Sequence, residues 1–372
     1  MIYLDNAATT KPLTEAIKHA EIYNENSFFN PSALYREGLK VKDEITCARK
    51  KVLSFFNDNY DLLFTSGGSE ADNTAIFSSC RRGNFITTEG EHSAVYECFS
   101  ELKNRGCDVR FAKLNNDGSV NVDDLLSLVD DKTSFISIVH VNNETGAVND
   151  INSIAELAKQ KNPSLIFHSD GVQAFGKIPY KISDNIDLYS VSAHKINGLK
   201  GTGALIKKKK LHIFPLIYGG GQENNLRSGT ENVFGISVFG YTAELHRKKL
   251  IENYEKVKEL KETFINELNK ENLKIISQSN SSPFILCLSA VGLRGEVLQH
   301  MLEDDGIIIG TGSACSSRHR HSRILKACGY DDKVLDGALR ISFTADNSVD
   351  ECVFAARKLN AYAQKLKGIM KI

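Results

Sequence analysis

Between residues 15 and 245, short apolar runs alternate with stretches of helical spacing. The runs are DLLFTS (61–66), NFITT (84–88), SFISIVHV (134–141), SLIFHSD (164–170), DLYSVS (187–192) and GALIK (203–207). Runs that are apolar throughout belong to strands buried on both faces, and the helices between them supply the crossovers of parallel pairing. This leaves few choices: an α/β chain whose largely parallel sheet is covered on both sides. Such a sheet binds ligands at the carboxyl ends of its strands. Polar residues close several of the runs there: Ser66, Asn143, Asp170 and Ser192.

Beyond this region, Leu250, Tyr254, Val257, Phe264 and Leu268 mark a long amphipathic helix that leads into a second unit. That unit has strand candidates at 283–289 and 338–343, a helix near 295–304 and a last helix over about 348–366. The first residues can pack against either unit. At 372 residues the chain is long enough for more than one core. Lys+Arg and Asp+Glu both total 46, which argues against a strongly basic nucleic-acid binder. No apolar run reaches the roughly 18 residues of a membrane helix, and MIYLDNAATT lacks the pattern of a secretory signal. Eight scattered cysteines with no C-x-x-C read as reduced thiols of a cytoplasmic protein, without a zinc site. Cys98 falls on a helix face with Val95, Phe99 and Leu102, and Cys328 in SRILKACG reads as packed.

Three stretches carry chemistry. In TSGGSEADN (65–73) a strand ends in Gly-Gly-Ser and a helix follows. Backbone N–H groups at such a helix start suit a phosphate; a tight turn with Ser69 as N-cap accounts for the same residues. Asp170 closes a buried strand, where a carboxylate is costly unless paired. It can cap the next helix, meet an arginine, or face a ligand. Gln173 follows it, and Lys195 stands at the end of a later strand in LYSVSAHKINGLKG (188–201). A buried acid and a lysine on separate strand ends are what a pyridoxal phosphate site requires: the amine tethers the aldehyde and the acid keeps the pyridine nitrogen protonated. Third, GSACSSRHRHSR (312–323) flanks Cys315 with small residues, and five of positions 318–323 are Arg or His. A thiol on such a loop can be exposed and partly ionised, as a nucleophile requires; a solvated basic loop with an incidental cysteine reads equally well from the residues alone.

Together these stretches resemble one family, the cysteine desulfurases, on the fold of the class V aminotransferases. YLDNAATT (3–10), NPSALYREG (30–38), FTSGGSEADN (64–73), EHSAV (91–95), HVNNETG (140–146), SDGVQAFGK (169–177), SAHKINGLKGTGAL (192–205), GGGQENNLRSGTEN (219–232) and GSACSS (312–317) fall in the family's order. The resemblance implies the type I fold of pyridoxal phosphate-dependent transferases. A large domain over 15–247 would hold a mainly parallel seven-stranded sheet. Residues 1–14 and 248–372 would form a smaller α+β domain carrying the cysteine loop.

By the same resemblance, Lys195 is the tether, Asp170 pairs with the pyridine nitrogen, and Gln173 with the ring hydroxyl. His92 stacks on the ring and moves protons. Gly68, Ser69, Ser192 and His194 bind the phosphate, which Thr230 completes from the second subunit of a homodimer. Asn143 and Arg340 hold the substrate carboxylate, a task an Arg fork suits. Taken singly, His92 also reads as a helix-start residue, Asn143 as a turn residue and Arg340 as half of a surface ion pair. Cys315 would attack the sulfur of L-cysteine, so that alanine is released and the persulfide passes to an acceptor, an iron–sulfur scaffold or a tRNA thiolation enzyme. The basic segment after Cys315 and the short C-terminal region favour a dedicated acceptor. Tyr35 stands where the family has His, and Ser69 where Thr is common. Two other readings are a different enzyme of this fold, such as a selenocysteine lyase, and an inactive scaffold that only binds partners. Direct contact with nucleic acid or membrane is not expected, nor is a metal.

Overall fold

The computed structural model describes residues 1–79, 81–311 and 321–370. Twelve strands follow one another in the described chain: β1 (Ile2–Leu4), β2 (Tyr60–Thr65), β3 (Asn84–Thr88), β4 (Asp108–Ala112), β5 (Thr133–Ser137), β6 (Ile166–Asp170), β7 (Leu188–Ser192), β8 (Gly203–Lys208), β9 (Lys274–Ile275), β10 (Ile285–Ser289), β11 (Ile307–Thr311) and β12 (Ala338–Ser342). They form two sheets. The larger has the order β2-β8-β7-β6-β5-β3-β4 and the smaller β1-β11-β12-β10-β9.

In the larger sheet β7, β6, β5, β3 and β4 are parallel, whereas β8 runs antiparallel to both β7 and β2. The apolar runs explain why it is covered twice. Along β5, Phe135 points into one core and Ile136 into the other; along β6, Ile166 and Phe167 divide in the same way. One core takes the helices Arg36–Leu53, Ile151–Lys161 and Val233–Lys248, and the other takes Gly68–Phe77 and Ser93–Asn104. Each fully buried Leu, Ile or Phe contributes about 1.5–3 kcal/mol, so neither face can be left to water. The expected apolar face of the second of these helices, Val95, Cys98, Phe99 and Leu102, is buried as a set.

Four strands escape a search for apolar runs, β1, β4, β9 and β11, and two of them are instructive. DVRFA has only one buried residue, because β4 lies at the sheet edge. The stretch at 307–311 reads as the approach to a loop, but β11 pairs with both β1 and β12. SFISIVHV is shorter as a regular strand than its apolar run, although Ile138 and His140 beyond it still donate their N–H groups to the carbonyls of His168 and Asp170 in β6.

The smaller sheet packs against the helices Leu250–Glu267, Gly295–Asp304 and Val349–Met370 through Val257, Phe264, Leu298, Leu302, Ala356 and Leu359. The N-terminal segment meets both sheets. β1 pairs in parallel with β11, and beyond it the N–H of Thr10 donates to the carbonyl of His194 and that of Leu13 to Asn197. Among the described residues no helix is long and apolar enough to cross a membrane.

Candidate active site

β6 and β7 are parallel neighbours, with Asp170 paired to Ser190. Their carboxyl ends therefore lie side by side. β6 ends on Asp170; β7 ends on Ser192, and one tight turn (Ala193–Lys195) then sets Lys195 beside it. Gly171 must be glycine, because a Cβ there would fall 1.9 Å from the ring of Tyr189. The two ends open on a cavity of about 340 Å³. Gly68, Ser69, His92, Asn143, Asp170, Gln173, Ser192, His194, Lys195 and Arg340 all line it.

One end of the cavity is the start of the helix Gly68–Phe77. Its N-cap is Gly67, so Ser69 stands inside the first turn rather than capping it. First-turn N–H groups have no helical partner and carry the positive end of the helix dipole. A Cβ on Gly68 would lie 2.9 Å from Val172 Cγ2 and 3.5 Å from Ser192 Cβ, so this corner stays open only with glycine. The buried Ser192 hydroxyl has no hydrogen-bond partner, and His194 Nδ1 lies 3.1 Å from Thr9 Oγ1. The corner is a cradle of unpaired donors built for an anion.

Asp170 Oδ1 accepts the N–H of Val172 at 2.9 Å. Burial pushes its carboxyl up to about 6, against that hydrogen bond and the Lys195 charge. Lys195 Nζ donates to the carbonyls of Ala7 at 2.6 Å and Ala8 at 2.7 Å. His92 caps the helix Ser93–Asn104, with Nδ1 accepting the N–H of Ala94 at 3.1 Å. That bond fixes the tautomer, leaving Nε2 as the protonated nitrogen. Burial, then the charges of Lys195, Arg323 and Arg340, lowers His92 to about 4. The helix-start role and the cavity position are thus both real.

Arg340 is not on the surface. It is 3% exposed on β12, pairs with Asp5 at 2.9 Å and donates to the carbonyl of Asn143 at 3.0 Å. Its Nε and the Oδ1 of Asn143 are buried without partners. Such atoms are rare in folded proteins and point to a group that satisfies them.

Thr230, expected to serve the site of a second subunit, is exposed and is not among the residues lining this chain's own cavity. Cys315 lies outside the described residues. The described flanks of its segment are nevertheless anchored near the site. Gly310 in β11 pairs with Arg340. On the other side Ser322 donates to the carboxylate of Glu144, and Arg323 donates to the carbonyls of Glu89 and Glu91. Cys328, by contrast, is packed: it is 2% exposed, and burial raises its thiol to about 12.

The structure adds residues that the sequence reading passed over. Asp72 lines the cavity, is 1% exposed, and lies 3.6 Å from His168 Nε2. Burial and the neighbouring Asp170 charge hold its carboxyl well above the usual range. Its place one turn into the phosphate-type helix was the available signal. Lys177 is 4% exposed and donates to Gln173 Oε1 at 2.9 Å. Ala7 and Ala8 contribute only backbone carbonyls, which no side-chain pattern reveals.

A mainly parallel seven-stranded sheet with a lysine and an acid on neighbouring strand ends defines the class. The chain belongs to the class V aminotransferase family, which matches residues 2–353. Within it, the chain is 36% identical over 363 residues to a protein named cysteine desulfurase IscS from Clostridium botulinum (strain Hall), covering 94% of this chain and 91% of that one. It is 35% identical over 382 residues to another of that name from Methanosarcina thermophila, covering 99% and 93%. Among solved structures, a NifS-like protein superposes with a TM-score of 0.91 at 30% identity, over 98% of this chain and 99% of that one.

Proposed function

We propose that this chain is a cysteine desulfurase that removes sulfur from L-cysteine, releases L-alanine and carries the sulfur as a persulfide on Cys315. The observation that carries the reading is the convergence in one cavity of a tether (Lys195), a buried acid (Asp170), a neutral imidazole (His92) and a buried guanidinium with an unpaired nitrogen (Arg340).

The residues fit pyridoxal 5'-phosphate. The glycine-lined cradle with the orphaned Ser192 hydroxyl suits its phosphate, Asp170 its pyridine nitrogen, Gln173 its ring hydroxyl and Lys195 its aldehyde. When bound, the cofactor supplies an electron sink for the bonds at the substrate α-carbon. Arg340 and Asn143 hold the substrate carboxylate and fix which bond faces that sink. Asp170, as a carboxylate, keeps the ring nitrogen protonated. Lys195 Nζ and His92 Nε2 take up and return protons above the cavity floor. Cys315, as thiolate, attacks the substrate sulfur; the S–S bond forms as the C–S bond breaks, and the carbon fragment takes up a proton and leaves as alanine.

The acceptor is a protein that takes the persulfide, an iron–sulfur scaffold or a tRNA thiolation enzyme, in the cytoplasm. We further propose a homodimer in which Thr230 reaches the partner's phosphate cradle. Exposed apolar side chains support an interface: Phe28, Leu34, Tyr35, Phe214 and Tyr218 are all more than half exposed. We propose as well a division into domains over 15–247 and over 1–14 with 248–372, which the separation of the strands into two sheets supports.

The test is incubation with L-cysteine followed by amino-acid analysis and peptide mass mapping. Alanine with a persulfide on Cys315 alone is expected, and Cys315→Ser abolishes the persulfide. A Cys315→Ser protein that releases sulfide at the full rate would assign the chain to another chemistry of this fold. A protein that never takes up the cofactor would be a binding scaffold.

A further inference from the structure

Lys177 lies in a place that the proposed chemistry does not explain. It is 4% exposed, four residues beyond Gln173 in SDGVQAFGK. Among the described residues no carboxylate stands within ion-pair distance of its ammonium. Its ammonium meets Gln173 Oε1 at 2.9 Å and the face of Phe284, with Nζ 5.9 Å from the ring centroid. Burying an amine this way is costly, so the position calls for a function.

Gln173 is held from both ends. Its Oε1 faces Lys177, and its Nε2 donates to the carbonyl of Ala7 at 2.9 Å. Lys195 Nζ donates to that same carbonyl at 2.6 Å, which fills both of its lone pairs. A side-chain amide can reverse, exchanging its oxygen for its NH2. An amine donor-only group opposite Oε1 removes that freedom, because the reversed amide would set N–H against N–H. Resting on the cofactor reading above, we propose that Lys177 is a positioning residue. It locks the Gln173 amide with its N–H edge toward the cofactor side, so that the cofactor's ring oxygen always meets a donor.

The electrostatic surroundings agree with a donor that stays in place without an anion. Lys195, Arg340, His194 and His246 face Lys177 from the neighbouring elements, all cationic or neutral. Burial first, then Lys195 and Arg340, lowers its amine to about 7. Glu15, Lys249 and Asp346 line with it a second cavity of about 210 Å³, to which Gln173 does not contribute. The lock belongs to the ammonium form, because a neutral amine carries a lone pair that would accept from a reversed amide.

The test is a pH titration, from 6 to 10, of the visible absorption of the protein carrying its cofactor, together with equilibrium binding of pyridoxal phosphate to the apoprotein. Lys177→Met is expected to raise the titration midpoint by about one unit and to weaken cofactor binding about 5- to 10-fold, the worth of one ordinary hydrogen bond. Lys177→Arg, also donor-only, is expected to restore the midpoint to within about 0.3 units of the parent's. Lys177→Gln, for use if the Met variant does not fold, shifts it the same way as Met, because an amide no longer dictates which edge of Gln173 it meets. In Gln173→Ala the change at 177 adds nothing further, since the two act as one unit. A parent band that titrates normally and is unmoved in folded Lys177→Met and Lys177→Gln overturns the role of Lys177 alone. A parent protein with no visible band after addition of pyridoxal phosphate overturns the cofactor reading and this proposal with it.

Discussion

Asp170, Glu91 and Arg340 are ionisable groups with buried side chains, and each placement has a measurable consequence. Asp170→Asn keeps the shape and removes the charge; desulfuration should fall about 10²- to 10³-fold with the fold intact, as for loss of one preorganised electrostatic partner. Arg340→Lys replaces a fork by a point charge, so KM for L-cysteine should rise about tenfold or more while kcat changes less. Glu91 makes a cleaner case for pH. It is fully buried, accepts the N–H of Val139 on Oε1, and burial raises it from 4.5 to about 8. Between those values the native chain holds a proton that the unfolded chain has released, so stability from this group is present below 4.5 and is lost as pH rises through 8. Glu91→Gln lacks this dependence. Denaturant unfolding should therefore show the variant gaining on the parent by about 1.4 kcal/mol per pH unit within that window. Most of these residues were legible in the sequence because their types are unusual at strand ends and in a glycine-rich turn. Asp72 and Lys177 were not. Asp72 sits on the helix Gly68–Phe77 and Lys177 in the turns between β6 and β7, and only the packing shows that both are buried.

At the scale of elements, the start of the helix Gly68–Phe77 has the most to answer for. Its N-terminal cradle depends on the missing Cβ of Gly68, which would meet Val172 at 2.9 Å. Gly68→Ala should leave the melting temperature of the apoprotein nearly unchanged, while affinity for pyridoxal phosphate falls about tenfold, the loss of one or two anion-binding N–H contacts. An unaltered affinity would place the phosphate elsewhere. The central strands were legible because burial on both faces imposes unbroken apolar runs. β4 was not, because an edge strand needs fewer apolar residues, and β11 was not, because its glycine-flanked sequence reads as a loop until β12 pairs with it. The antiparallel direction of β8 also left no mark, since both faces of that strand are buried whichever way it runs.

Over the whole molecule, the N-terminal ten residues join the smaller sheet to the site on the larger one. β1 completes the smaller sheet, Asp5 pairs with Arg340, and the carbonyls of Ala7 and Ala8 receive Lys195. The sequence left the docking of this segment open, and the structure resolves it by using both surfaces. Asp5→Ala should cost about 3–5 kcal/mol in denaturant unfolding, because it strands a buried guanidinium. It should also weaken L-cysteine binding; a loss of stability with unchanged KM would separate the segment from the site. The central claim is that the cavity at the carboxyl ends of β6 and β7 holds the cofactor on Lys195. Borohydride reduction of the protein with its cofactor, followed by peptide mass mapping, tests it most directly. The account predicts the reduced pyridoxyl group on Lys195 alone; the label on Lys177 or on any other lysine would contradict it.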